Sequence, residues 1–232
     1  MLEQISQIDL ENLSFQNDCF KNSKLILSIS DMELQKNGIL KKAGQLFNQY
    51  GFKSVTMDDI SRELGISKKT LYLHFTSKRN LINSLLEESK KQLTSQIEGV
   101  KNQEFGGLEK LYNIYLQIVK FSNESNTVTY WSFKKYYCEL YNDFVDFIGV
   151  LIDDTCEKLI KESQWDGFIL SNINAKVFSC FLRTSFLEIP NNNLTQNMNV
   201  DREILQKDFV YYNLRSVATS TGLNQLDKIK EK

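Results

Sequence analysis

The sequence predicts an all-α protein, and three observations carry that expectation. One proline and ten glycines in 232 residues leave few chain breakers, which favours long helices over a sandwich or barrel. From Lys36 onward apolar residues recur at three- and four-residue steps, the spacing of a helix with one buried stripe. Strand-like alternation is absent. An apolar content of 41% and a charged content of 25% are ordinary for a globular protein, long enough for one large domain or two modest ones. No apolar run approaches the roughly 18 residues needed to span a bilayer, and the first residues lack the basic-then-apolar pattern of a secretory signal. A cytoplasmic protein with no membrane partner is expected.

Residues 1–35 form a polar leader with scattered apolar positions (Leu10, Leu13, Phe15, Phe20) and no motif; Met32, just ahead of the first firm helix, leaves open a start at that point. The first helix is drawn by Ile39, Leu40, Ala43, Leu46, Phe47 and Tyr50, and Gly51 is expected to stop it. Thr56 caps a second helix, with Asp59 three residues on as a near capping box and Ile60 and Leu64 facing inward. Gly65 makes a turn, Ile66 is expected to plug the core, and Ser67 caps a third helix that buries Leu71 and Phe75. Ser77 then caps a long helix through Leu81, Ile82, Leu85 and Leu86 towards about Val100. Further helices are read at 107–121, 127–163 (broken once), 173–188 and 201–219, with Gly106-Gly107, 122–126, Trp165–Gly167 and the Asn-rich 189–199 as joints.

Residues 54–81 are thus two short helices around a tight Gly turn, the second opening with Ser67-Lys68-Lys69-Thr70, the layout of a helix-turn-helix that enters the DNA major groove. Lysine donates to guanine O6 and N7, and threonine donates to bases or touches a thymine methyl. Tyr72 and His74 fall on the expected solvent side, within reach of phosphate or a base edge, or else are surface packing. Thr56 and Lys78 stand at the starts of flanking helices, where the dipole and free N–H groups favour phosphate; Thr56 and Ser67 are caps first, with any phosphate contact additional. Between Lys36 and Asn80 nine Lys/Arg face three carboxylates, a surplus of six that leaves minus seven for the rest of a chain whose net charge is −1. A basic block on an acidic body is what a local phosphate-binding surface requires.

The run Ile39-Leu40, Ala43, Leu46-Phe47, Gly51-Phe52, Val55-Thr56, Ile60, Leu64-Gly65-Ile66-Ser67, Thr70-Leu71-Tyr72, His74-Phe75, Ser77-Lys78 and Leu81 resembles the tetracycline-repressor (TetR) family of bacterial regulators over about 45 residues. The resemblance implies a three-helix DNA-binding domain at 36–80, joined by its fourth helix to a larger helical domain at 81–232. That second domain would hold a small-molecule pocket and make a homodimer through its last two helices. By the same carry-over Lys68, Lys69, Thr70, Tyr72 and His74 would face DNA, and Thr56 and Lys78 would hold phosphate. Two features depart from the family pattern. Gly44 follows Ala43 where a second small residue is usual, and the leader is long and not basic.

The rest of the chain resembles the family's effector domain only loosely. It is rich in aromatics, which at helical spacing serve a core or line a mostly apolar cavity. Tyr115, Tyr130, Trp131 and Tyr137 are the candidate ligand contacts. Arg183, on an otherwise apolar helix, offers a counter-charge to an acidic ligand group or a salt bridge. The expected effector is apolar or amphipathic. The function that follows is a homodimeric repressor released from a pseudopalindromic operator by that effector; the alternative is a DNA-binding regulator that needs no ligand or acts with a protein partner. An enzyme is not expected. His74 is the only histidine, which disfavours a His-built metal site or triad, and no phosphate-loop motif appears; no metal and no cofactor are expected. Cys19, Cys138, Cys156 and Cys180 show no CxxC spacing and are expected to be reduced and mostly buried, with paired disulfides the other possibility on count. Asp153-Asp154 and Glu157 read as a solvated face.

Overall fold

The computed structural model describes residues 32–123, 127–188 and 202–230, and the all-α expectation holds among them. Ten helices are described there: α1 (32–54), α2 (Met57–Leu64), α3 (Lys68–His74), α4 (Lys78–Lys101), α5 (Gly107–Asn123), α6 (Thr127–Tyr136), α7 (Cys138–Trp165), α8 (Ala175–Glu188), α9 (Arg202–Val217) and α10 (Ser220–Lys230). One isolated antiparallel bridge, Ile169 to Ala218, is the sole extended pairing among the described residues. The leader up to residue 31 and the 189–199 loop lie outside them; residues 32–35, assigned to the leader on sequence, are helical and belong to α1.

The chain divides into two compact units. The described part of the first comprises 32–46 and 56–81. Its core is Ile39, Leu40, Ala43 and Leu46 from α1, Ile60 from α2, Leu71 from α3, and Phe75 and Leu81 beyond it, all buried. Gly65 takes φ 65°, a left-handed turn at which its N–H caps α2 through the Arg62 carbonyl at 3.1 Å. Ile66, expected to plug the core, is only half-buried, because the turn that carries it lies at the surface, and Leu64 is half-buried too; Tyr50, on the part of α1 that falls in the second unit, is exposed.

The second unit comprises 47–55 and, from Ile82 on, the remaining helices. Helix α5 is its centre: Leu108, Leu111, Ile114, Tyr115 and Ile118 are buried along one stripe, and α7, α9 and α10 pack on it. Helix α7 adds Ile148, Ile152, Cys156, Leu159 and Ile160, and α8 lies along it. The expected single break in 127–163 falls at Tyr137, between α6 and α7.

Gly51 does not stop α1. It takes φ 79° and helical structure resumes through 54. Helix α6 meets this opening with two hydroxyls: Thr129 donates to the Phe47 and Asn48 carbonyls at 3.1 and 3.0 Å, and Ser132 accepts the Phe52 N–H at 3.0 Å. The Phe52 ring stacks on Phe47 and packs against Phe133 and Tyr137. The extent of the last region is also corrected. Helix α9 ends at Val217 and a further helix follows at 220–230, tied to α9 by Lys230 on Asp208 at 2.9 Å and by Arg215 on Asp227.

Of the three cysteines described, only Cys156 is buried; Cys138 and Cys180 are exposed and all three are free thiols. Helix periodicity places the latter two off the buried stripe, which overturns the expectation of mostly buried thiols. Asp153 is likewise no plain solvated residue, for it pairs with Arg183 at 2.9 Å. No helix among the described residues is long and apolar enough to cross a membrane.

Candidate nucleic-acid interface

The helix-turn-helix is set by its caps. Thr56 is extended (φ −104°, ψ 165°), so its hydroxyl accepts from the Asp59 N–H at 3.1 Å. The Asp59 carboxylate in turn takes the Thr56 hydroxyl at 2.6 Å and N–H at 2.9 Å, completing the capping box. These hydrogen bonds, with Arg62 and Lys78 nearby, hold the Asp59 carboxyl below its usual range. A phosphate approaching Thr56 therefore meets a carboxylate already seated on it. Ser67 caps α3 by accepting the Thr70 N–H at 3.0 Å, and the two hydroxyls lie 2.8 Å apart. Ser77 caps α4 through the Asn80 N–H at 3.1 Å. All three caps stand where sequence placed them.

Helix α3 is sharply two-sided. Leu71 and, just past its end, Phe75 are fully buried. Lys68, Lys69 and Tyr72 are exposed, and Thr70 is half-buried. Lys68 and Tyr72 share one face and Lys69 and Leu73 the next, each pair four residues apart. His74 is half-buried, its Nε2 lying 3.1 Å from the Gln35 side-chain oxygen on α1. Lys78 is also half-buried, and that burial pushes its ammonium pKa down against the pull of Asp59.

Two residues escaped the sequence reading. Leu73 is 75% exposed on the outer face of α3; its place between Tyr72 and His74 was the available signal. Asp58 pairs with Lys68 at 2.7 Å across the turn, which raises the Lys68 pKa. No local pattern points to that pair, since its members stand ten positions apart.

The candidate ligand contacts fall at separate places in the second unit. Tyr115 is enclosed in the core with its hydroxyl beside the Cys156 thiol, and burial pushes its pKa well up. Trp131 is 46% exposed on α6. Tyr137 lies at the α6–α7 break, edge-on to Phe52. Arg183 lies against Gly149 of α7 and is paired with Asp153, so its charge is met by the chain's own carboxylate. The side chain of Tyr130 lies outside the described residues. Among the described residues, no three His, Cys, Asp or Glu side chains group to hold a metal ion.

Residues 39–85 match the family described as bacterial regulatory proteins, tetR family, in agreement with the resemblance carried by residues 39–81. The Staphylococcus aureus protein IcaR, named as the HTH-type negative transcriptional regulator of the biofilm operon icaADBC, is 27% identical over 130 residues. That match takes in 55% of this chain and 66% of IcaR, just under two thirds of its length. Among solved structures, a gamma-butyrolactone receptor (ArpA-like protein) superposes with a TM-score of 0.63 at 14% identity, covering 86% of this chain and 96% of that one. The fatty acid degradation regulator FadR from Bacillus halodurans gives 0.60 at 19% identity, covering 77% and 94%. At such identities the two structures speak for the fold.

Proposed function

We propose that this chain, whose helix-turn-helix domain is that of a tetR-family regulator, is a homodimeric transcriptional repressor that a small apolar or amphipathic effector releases from a pseudopalindromic operator. One observation carries the reading: a seven-residue helix, capped at the turn and anchored by Leu71 and Phe75, leaves Lys68, Lys69, Tyr72 and Leu73 exposed. Two such helices in a two-fold dimer would lie about one DNA turn apart, on half-sites of matching symmetry. Lys69 and Lys78 would serve phosphate, and Lys68, Thr70, Tyr72 and Leu73 the base edges.

The repressor sign follows IcaR, a negative regulator by name. The effector class follows the aromatic second unit and the internal pairing of Arg183, which leaves that cation little call for an acidic ligand group. A differential affinity of a few kcal/mol between two states of the dimer suffices to empty an operator.

The test is selection of genomic fragments by the purified protein, with the Lys68→Ala/Tyr72→Ala variant beside it. The reading expects a two-fold symmetric site that the variant no longer retains. Enrichment without symmetry would remove the dimer model, and no enrichment at low salt would remove the operator.

A further inference from the structure

Asp58 lies in the first turn of α2 and Lys68 opens α3, and the turn between the helices brings their side chains together at 2.7 Å. Both remain well exposed, at 58% for Lys68 and 55% for Asp58. An exposed pair of this kind contributes little to stability. Its consequence lies in the charge that DNA meets.

Affinity for phosphate comes from counterion release, which a cation already neutralised by its neighbour drives weakly. Hydrogen bonding to guanine O6 or N7 asks instead for a donor held in place. An ammonium has three N–H donors, and the Asp58 carboxylate engages one while fixing the direction of the other two. The other carboxylates of this region face cations elsewhere: Asp59 faces Arg62 within α2, and Glu63 faces Lys42 on α1. Of the ion pairs described, the Asp58 pair is the one that engages the exposed face of α3.

We propose that Asp58 is a specificity-determining residue: it withdraws Lys68 from phosphate binding and keeps it as a donor to a base edge. At a wrong sequence the carboxylate also repels the backbone, so Lys68 gives non-specific DNA no hold. The inference rests on the DNA-binding role of α3 proposed above.

The test compares full-length wild type with Asp58→Asn, Asp58→Glu and Lys68→Gln, each bound to the selected site and to a scrambled duplex over a range of salt. Asp58→Asn is expected to bind scrambled DNA more tightly, with the slope of log K against log salt steeper by about one per protomer, and to lose several-fold in discrimination. Asp58→Glu, which restores the charge, should return the wild-type slope. Lys68→Gln, which leaves the Asp58 carboxylate bare, should weaken the selected site by a larger factor than scrambled DNA. Equal slopes for wild type and Asp58→Asn would overturn the inference, as would an equal loss on the selected site and on scrambled DNA in Lys68→Gln, which also serves if Asp58→Asn fails to fold. A wild type that prefers no site at all would instead overturn the proposed function.

Discussion

Single residues of one type meet quite different surroundings in this chain, and cysteine shows it best. Cys156 is enclosed in the core beside Tyr115, and burial pushes its thiol up to about 12, while Cys138 and Cys180 stand exposed. The unfolded chain releases the Cys156 proton near pH 9.0, whereas the folded chain keeps it until about 12. The stability that this difference contributes is complete below pH 9 and is lost as pH climbs through that window, because ionisation pulls the unfolded state forward. Thermal midpoints should therefore fall between pH 9 and 12 more steeply in wild type than in Cys156→Ala, after allowing for the cavity that variant leaves. Alkylation followed by mass spectrometry gives a second readout. Native protein should label at Cys138 and Cys180, with Cys156 reacting only in denaturant; rapid native labelling of Cys156 would contradict its enclosure.

Helices whose ends are written locally were legible, and those held by distant partners were not. Thr56, Ser67 and Ser77 each cap the helix that sequence assigned them, because a cap is a contact across three residues. Helix α10 was missed for the opposite reason. Its sequence is largely polar, and what fixes it lies far off: Thr219 donates its N–H to the Phe168 carbonyl at 2.9 Å, and Leu170 donates to Val217. Gly222 is the hinge of that packing. A Cβ there would lie 2.0 Å from the Phe168 carbonyl oxygen, a backbone atom that cannot rotate away. Gly222→Ala should cost about 2–4 kcal/mol, the upper range for overpacking. Gly99 in α4 is its counterpart, exposed and with nothing within 4 Å of a built Cβ. Gly99→Ala should stabilise by about 0.5–1 kcal/mol, the helix preference for alanine. Chemical denaturation of the two variants checks both signs at once.

Across the whole molecule, charge and apolar surface point to different partners. The surplus of six on residues 36–80 against minus seven elsewhere favours approach of DNA to the basic block. That asymmetry was readable in the sequence, as were the buried Leu71 and Phe75 and the exposed Lys68, Lys69 and Tyr72, whereas His74, expected on the solvent side, is half-buried beside Gln35. The Asp58–Lys68 contact was not, since an acid in the first turn of a helix reads as favourable to its dipole whatever lies opposite. Nor was the surface of the second unit, where Val177 and Phe181 on α8 and Ile204 and Tyr212 on α9 are 64, 49, 56 and 60% exposed. These side chains supply the apolar area that the proposed dimer would bury. Sedimentation should give a particle of about twice the 27.0 kDa chain. Phe181→Glu or Tyr212→Glu should shift it towards the monomer with the helical circular dichroism intact. Because each protomer brings its own phosphate contacts, the monomeric variant should also show roughly half the wild-type salt dependence on the selected site. A monomer that kept the full salt slope would place all the DNA contacts on one chain and dispense with the two-fold arrangement.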